Sequence, residues 1–463
     1  MSDGDTTSTN YSKQVGLQNL AGQPGDYTLP NISLSGYAPG TPAASSGFVG
    51  YGTHIVQNNL YYRLSETMTW IKGPHNLKFG ADVNRLMVGY DQGQNQNGIL
   101  NYGGTFTGDS TADFLLGIPL SAVGGLGSLG NFGGVAKYAI GTQYDAFIQE
   151  DWKISEKLTL NIGLRYEIFQ QWRGRLADFD LATGRQLLAG SSTYYVPGQG
   201  LFESSGPALL PERPLKTNPN DWAPRLGLAY RLGTRTTLRA GAGLFYTLNT
   251  GGTVIGPMMS TAPFFVTASL TSSSTTPQLF ASRLFPPATQ TTAGVTQDVD
   301  LKKKDGYATQ YNLSVQRELG RGLMAEAGYI GNDAQRQIGT EFVNQPLLPL
   351  NPAAPVPFAQ RDPYPSLVPT FQQVSNFQWT NYNAGYAKLE QRLKGGLSYI
   401  LSYTFSKCID SASPSGNGQN MYNRRLERAR CDTDIPHNFT GSYVLDLPFG
   451  RGRRYDIPNA ILN

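Results

Sequence analysis

The sequence predicts an all-β fold, an antiparallel transmembrane β-barrel. Three observations carry this reading. Apolar and polar residues alternate over segments of about nine residues or more, the length a tilted strand needs to cross a bilayer. Tight turns join these segments two by two. Long stretches rich in Gly, Ser, Thr, Pro and Asn join one pair to the next.

The first pair places Leu60, Tyr62, Leu64, Met68 and Trp70 before a Lys72-Gly73-Pro74 turn, with Leu77, Phe79, Ala81 and Val83 as the returning stripe. In the second, Tyr138, Ile140, Tyr144, Ala146 and Ile148 take one face and Gln143, Asp145, Gln149 and Asp151 the other. The segment from Trp152 to Lys157 then leads into Leu158, Leu160, Ile162, Leu164, Tyr166 and Ile168, all on even positions. The odd positions between them hold Thr159, Asn161, Gly163, Arg165 and Glu167. Leu226, Leu228, Tyr230 and Leu232 turn at Gly233-Thr234-Arg235 into Leu238, Ala240, Ala242, Leu244 and Tyr246. Tyr307, Tyr311, Leu313 and Val315 turn at Leu319–Gly322 into Leu323, Ala325, Ala327 and Tyr329. A weaker strand over Tyr382–Leu393 turns at Lys394-Gly395-Gly396 into Leu397, Tyr399, Leu401, Tyr403 and Phe405. Phe439, Tyr443, Leu445 and Leu447 run into a turn at 448–453, where a further strand begins.

These make about twelve strands, with short and long connections alternating as a membrane imposes. A soluble β-sandwich spaces its turns about every 8–12 residues and rarely sustains connections this long, and a secreted solenoid or propeller is the other all-β reading. The expected loops are residues 91–137, 170–221, 247–304, 331–380 and 407–436, with 1–50 a loop or linker segment ahead of a barrel domain over 51–463. Within one loop, Thr111–Pro119 is an apolar knot expected to form a short helix over the barrel mouth.

Composition agrees. The 463 residues include 54 Gly, 26 Tyr and 21 Phe, while charged residues make up only 15%, so helix formers are diluted. No run of 18 apolar residues is present, which excludes a transmembrane helix. A mean hydropathy of −0.32 does not argue for solubility, because lipid-facing and interior-facing residues cancel in any window of a barrel strand. A net charge of +4 is small for this length, so no nucleic-acid partner is expected. Met1–Asp5 lacks a basic and an apolar leader region, so the sequence is expected to be a piece of a longer exported chain.

Four stretches resemble TonB-dependent outer-membrane receptors of the Oar-like group. They are Gly108–Pro119 (GDSTADFLLGIP), Tyr144–Tyr166 (YDAFIQEDWKISEKLTLNIGLRY), Asp221–Tyr230 (DWAPRLGLAY) and Cys431–Tyr443 (CDTDIPHNFTGSY), in that order within residues 50–463. The resemblance implies a barrel of about 22 strands, of which this chain would be a part truncated at both ends. It also implies a plug with a TonB box upstream, through which the intact protein would engage TonB, ExbB and ExbD. The implied function is binding and translocation of an unknown extracellular ligand from a site in the cell outer membrane. A surface adhesion barrel and a passive porin are the alternatives.

Candidate chemistry is sparse. Cys408 and Cys431, the two cysteines, flank one loop in an exported context, and a disulfide across the loop base is expected, with two free thiols as the alternative. Such a bond would be a staple and not a redox centre, since no C-x-x-C motif is present. His54, His75 and His437 lie far apart without ligand spacing, so no metal or other cofactor is expected. Gly125–Gly130 matches G-x-G-x-x-G, but it sits in a Gly-rich loop and reads as a chance match. Lys302–Lys304 is either a solvated strand end or a contact for lipopolysaccharide head groups, beside the lipid partners of the barrel itself. Arg165, Glu167, Arg225, Arg231 and Arg239 alternate with apolar partners and are expected to face the lumen. No catalytic triad, paired-carboxylate motif or P-loop is visible, so no enzyme is expected. On this facing, Ile162→Arg is expected to cost about 2–4 kcal/mol and Asn161→Arg much less.

Overall fold

The structure is a computed structural model. It describes residues 14, 30–35, 53–94, 98–127, 138–197, 199–247, 252–259, 261–264, 266–284, 297–349, 351, 353, 356–357, 360–365, 367, 371–394, 396–411, 420–449 and 455. Alternating sequence segments become strands of one thirteen-stranded sheet. Two members, Gln297–Val299 and Ala429–Arg430, are short. The others are β1 Thr53–Lys72, β2 His75–Gln94, β3 Tyr138–Lys153, β4 Leu158–Arg173, β5 Asp221–Arg231, β6 Thr236–Thr247, β7 Gly306–Gly320, β8 Leu323–Phe342, β9 Gln372–Lys394, β10 Leu397–Asp410 and β11 His437–Leu445. Each long strand pairs antiparallel with its neighbour in the chain, in sequence order from β1 to β11. The further strand expected beyond residue 453 lies outside the described residues, apart from Tyr455, which bridges to Phe449.

Turns at one end of the sheet are tight because their residues permit it. Between β1 and β2 only Gly73 and Pro74 intervene, and Gly73 takes a φ of +57° that a side chain would strain. Between β7 and β8, Gly320 (φ +93°) and Gly322 (φ +80°) flank Arg321, itself at +57°.

Register gives the sheet two faces. One cross-strand row runs Phe79, Ile148, Leu164 and Pro224, and the second row beyond it runs Val83, Tyr144 and Ile168. Farther round the sheet, Ala240, Leu313, Tyr329, Gly385 and Phe405 continue the same face. Large apolar side chains here are exposed, including Leu64, Ile148, Leu226, Leu313 and Phe405. The face is bounded above by the row Tyr62, Arg85, Thr142 and Gln170, and below by Lys72, His75 and Trp152. Ten residues separate Thr142 from Trp152; at about 3.3 Å per residue and a tilt of about 45°, the band is roughly 23 Å tall. That is close to the ≈25 Å apolar band of an outer-membrane barrel. Glu66, on the edge strand opposite Ala81, and Glu150, opposite Leu77 and Ile162, interrupt it.

Strands overrun that band. At 20 residues each, β1 and β2 would rise about 66 Å along their length, and β9 has 23 residues. Loops are expected from residues 91, 170, 331 and 407; instead β2, β4, β8 and β10 continue into these regions, and β9 begins at Gln372. On β2 and β4 alternation fades because polar-face positions such as Val88 and Phe169 become apolar and are buried.

What covers them is a crown at the outer ends. Two four-stranded sheets fold from the connections: Asn31–Leu34, Ile99–Tyr102, Ser121–Gly127 and Val266–Thr271 in one, and a meander of Ala177–Asp180, Arg185–Leu188, Thr193–Val196 and Gly200–Glu203 in the other. Asn31–Leu34 lies within the segment expected as a linker; the rest of that segment is outside the described residues, save 14, 30 and 35. The apolar knot at Thr111–Pro119 does contain a short helix, α1 (Ser110–Leu115). Asp109 caps it by accepting from the Thr111 and Ala112 amides at 2.8 and 2.9 Å. Phe114 of α1 meets Tyr102 edge-on and packs against the buried Ile32, Leu34, Leu100 and Ala122 of the first sheet.

Candidate functional site

Five charged residues line up across the polar face of β1 to β4. Arg63 Nη2 lies 2.8 Å from Asp82 Oδ1, and Arg165 Nη2 lies 3.0 Å from Asp145 Oδ2. The Arg165 Nε donates to Glu167 Oε1 at 2.6 Å, and its Nη1 sits 3.9 Å from Asp82 Oδ2. One guanidinium therefore faces three carboxylates, all of them buried. Around them Gln143 Nε2 donates to both Asp145 oxygens and Tyr61 Oη donates to Asn84 Oδ1. Alternation delivers this cluster: Ser65 pairs with Asp82, Asp82 with Asp145 and Asp145 with Glu167, so the same face is presented on each strand.

Register puts the other arginines singled out in the sequence on this face too. Arg225 pairs with Gly163, Arg239 with Ala229, and Arg231 with Thr237. They do not join the cluster. Arg225 lies over the Phe245 ring at 4.5 Å, and Arg231 and Arg239 are exposed. A second polar group forms on β8 and β9, where Tyr386 Oη donates to Glu326 Oε1 at 2.6 Å and Lys388 Nζ meets Glu390 at 3.0 Å. Gly328 makes room for it, since a Cβ there would stand 2.6 Å from the Tyr386 ring. Sequence reading missed Arg63 and Asp82, although Asp82 alternates with Ala81 and Val83 and could have been found by the same rule.

Farther out, the polar face changes character. Val88, Ala139 and Phe169 share its parity but are buried and apolar. Against them packs α2 (Gly252–Met259), whose Val254, Ile255 and Met258 are almost fully buried. A loop helix thus covers the outer end of the polar face.

The remaining sequence candidates sit as follows. Cys408 and Cys431 are bonded, with Cα atoms 5.4 Å apart at the outer end of β10. Closing a loop of 23 residues stabilises it by roughly 3 kcal/mol in the chain-entropy model. The double variant Cys408→Ser, Cys431→Ser is therefore expected to be cleaved faster between these positions in limited proteolysis; an unchanged cleavage rate would refute the staple. His75 Nδ1 is 2.5 Å from Glu150 Oε1 and stacks on Trp152, while His437 Nδ1 is 2.7 Å from Tyr403 Oη. The His54 side chain lies outside the described residues. Among the described residues no three His, Cys, Asp or Glu side chains gather as a metal ion would need. Gly125–Gly127 end a strand of the crown, and 128–130 lie outside the described residues. Lys302 and Lys304 are exposed and Lys303 is half-buried, its amine pushed down to about 8 by burial against the pull of Asp305 and Asp300.

Residues 2–463 match the family model of the outer membrane beta barrel domain. The chain belongs to that family. This outer-membrane β-barrel thus has its apolar band in the outer membrane, and its two-faced strands are what that location demands. No curated protein matches the chain. Similar solved structures include the copper transporter OprC, at 14% identity and a TM-score of 0.38, covering 77% of this chain and 39% of that one. The alcaligin receptor FauA from Bordetella pertussis is 12% identical, with a TM-score of 0.37 and coverage of 87% and 45%. The transporter YddB from Escherichia coli is 12% identical, with a TM-score of 0.39 and coverage of 83% and 37%. The barrel chain spans less than half the length of each.

Proposed function

We propose that this chain is part of the barrel of a TonB-dependent receptor of the Oar-like group, binding an extracellular ligand and passing it inward in the intact protein. On this reading the polar face lines the interior, with Arg165, Glu167, Arg225, Arg231 and Arg239 along the path or against a plug. Binding and transport, not catalysis, are its work. The observation that carries the reading is α2, packed over the outer end of the polar face. A passive porin needs an open, hydrated mouth, whereas a receptor holds its mouth covered until a ligand engages.

Two measurements test it. In planar bilayers the intact protein is expected to give no steady ionic current; sustained conductance steps in the unmodified protein would support the porin. In the producing cell, growth on limiting siderophore, glycan or peptide that depends on this protein should disappear when TonB is deleted. Growth that persists without TonB rules out the receptor.

A further inference from the structure

A cavity of about 530 Å³ opens in the crown, outside the membrane band, between the meander sheet and the short strand Gln297–Val299. That strand lies parallel to the outer end of β9. Ligand pockets commonly fall between about 300 and 1,000 Å³. Its walls are apolar, with Leu181, Leu187, Leu210 and Tyr364, but Asp178 and Asp298 also line it. Both carboxylates are buried, at 6% and 4% exposure.

Their hydrogen bonding is incomplete. Asp178 Oδ1 accepts from the Val299 amide at 2.9 Å, and Asp298 Oδ2 accepts from Gln373 Nε2 at 3.1 Å. Asp298 Oδ1 is buried with no hydrogen-bond partner. A buried carboxylate oxygen is left so only at a cost, and a bound cation would remove that cost. Among the described residues neither carboxylate has an ion-pair partner. The nearby Asp180 and Asp300 are otherwise engaged, accepting from Ala182 and Thr183 and from Lys302 and Ser375 respectively.

We propose that this pocket binds a small organic cation, an ammonium or guanidinium group on an apolar body, with the charged head between Asp178 and Asp298 and the body against the leucines. A divalent metal fits less well, because among the described residues three ligating side chains do not converge. The inference goes beyond the receptor reading and stands whether or not the barrel transports.

Proton linkage supports it. Burial, then repulsion from Asp298, holds the Asp178 carboxyl well above its ordinary range. Asp298 is pushed up to about 7 by burial, opposed by the Gln373 hydrogen bond and reinforced by Asp300. Facing them are also Asp180, Asp300, Tyr364 and Lys302 at the wall, and Lys303 feels the charges of Asp305 and Asp300. A cation binds the ionised pair, so affinity should rise as pH increases through 7.

The test is titration calorimetry on the full chain refolded in detergent, with phenethylamine as the probe and 2-phenylethanol as its uncharged counterpart. Phenethylamine should bind and the alcohol should not. Asp298→Asn should weaken binding at least about tenfold, as loss of a charge-assisted hydrogen bond does. Lys302→Gln, at the exposed rim of the pocket, should tighten it by about two- to threefold by removing a repelling charge. Equal binding of amine and alcohol, binding unchanged by both variants, or heat from calcium chloride alone would each overturn the proposal.

Discussion

Arg165→Met is expected to destabilise the sheet by about 3 kcal/mol, the low end of what breaking a buried ion pair costs. Arg165 is the cation shared by Asp82, Asp145 and Glu167, at 3.9, 3.0 and 2.6 Å. Removing it leaves three buried carboxylates with Arg63, paired to Asp82, and Arg225, on the wall beside Arg165, as the remaining cations. The low end applies because the Arg165 side chain is 24% exposed, so water tempers the loss. Arg165→Lys should recover only part of it, since an ammonium cannot reproduce the planar fork that reaches three partners at once. Urea unfolding in lipid vesicles, followed by the mobility of folded and unfolded forms, measures both variants. A Met variant as stable as the parent would mean that the cluster is hydrated and the pairing worth little.

The second large effect concerns the apolar face. Leu164→Arg is expected to cost about 2–4 kcal/mol, the range for a cation at the bilayer midplane. Leu164 lies in the row with Ile148 and Pro224, in the middle third of the band between the bounding rows. Ile162, the position the alternation first suggests, is the weaker test: it pairs with Glu150, so an arginine there would meet a carboxylate and the penalty would shrink. Asn161→Arg on the polar face should cost little, because Asn161 already donates to Asp151 Oδ1 at 2.5 Å and a cation would keep that partner. Folding yields in vesicles should rank the three substitutions in that order. Equal tolerance of Leu164→Arg and Asn161→Arg would reverse or abolish the assigned facing.

Much of the barrel was legible because its rule is local. A period of two set the face of every residue from Leu158 to Ile168, and the register places them as alternation requires. The rule failed where its physical cause ends. Above the band nothing forces one face to be apolar, so the outer ends of β2 and β4 and the outer half of β8 looked like loop. Pro224 stands near the start of β5, although proline lacks a ladder donor and normally argues against a central strand. It is accommodated where the ladder to β6 stops, one residue before Arg225 pairs with Gly243. The charged cluster was half visible: Arg165, Glu167 and Asp145 stood out, but nothing in one strand's sequence says that Asp82 lies two strands away from Glu167 at the same height. The crown was least legible, because Asp178 and Asp298 are 120 residues apart and meet only through the packing of two connections.

Strands that outrun the bilayer have a further consequence. With a tilt of about 45°, a 20-residue strand climbs roughly 47 Å along the membrane normal, about twice the height of the apolar band. The excess, about 24 Å, carries the crown well beyond the edge of the apolar band. A solute approaching the polar face from that end meets folded protein well before it reaches the level of the band.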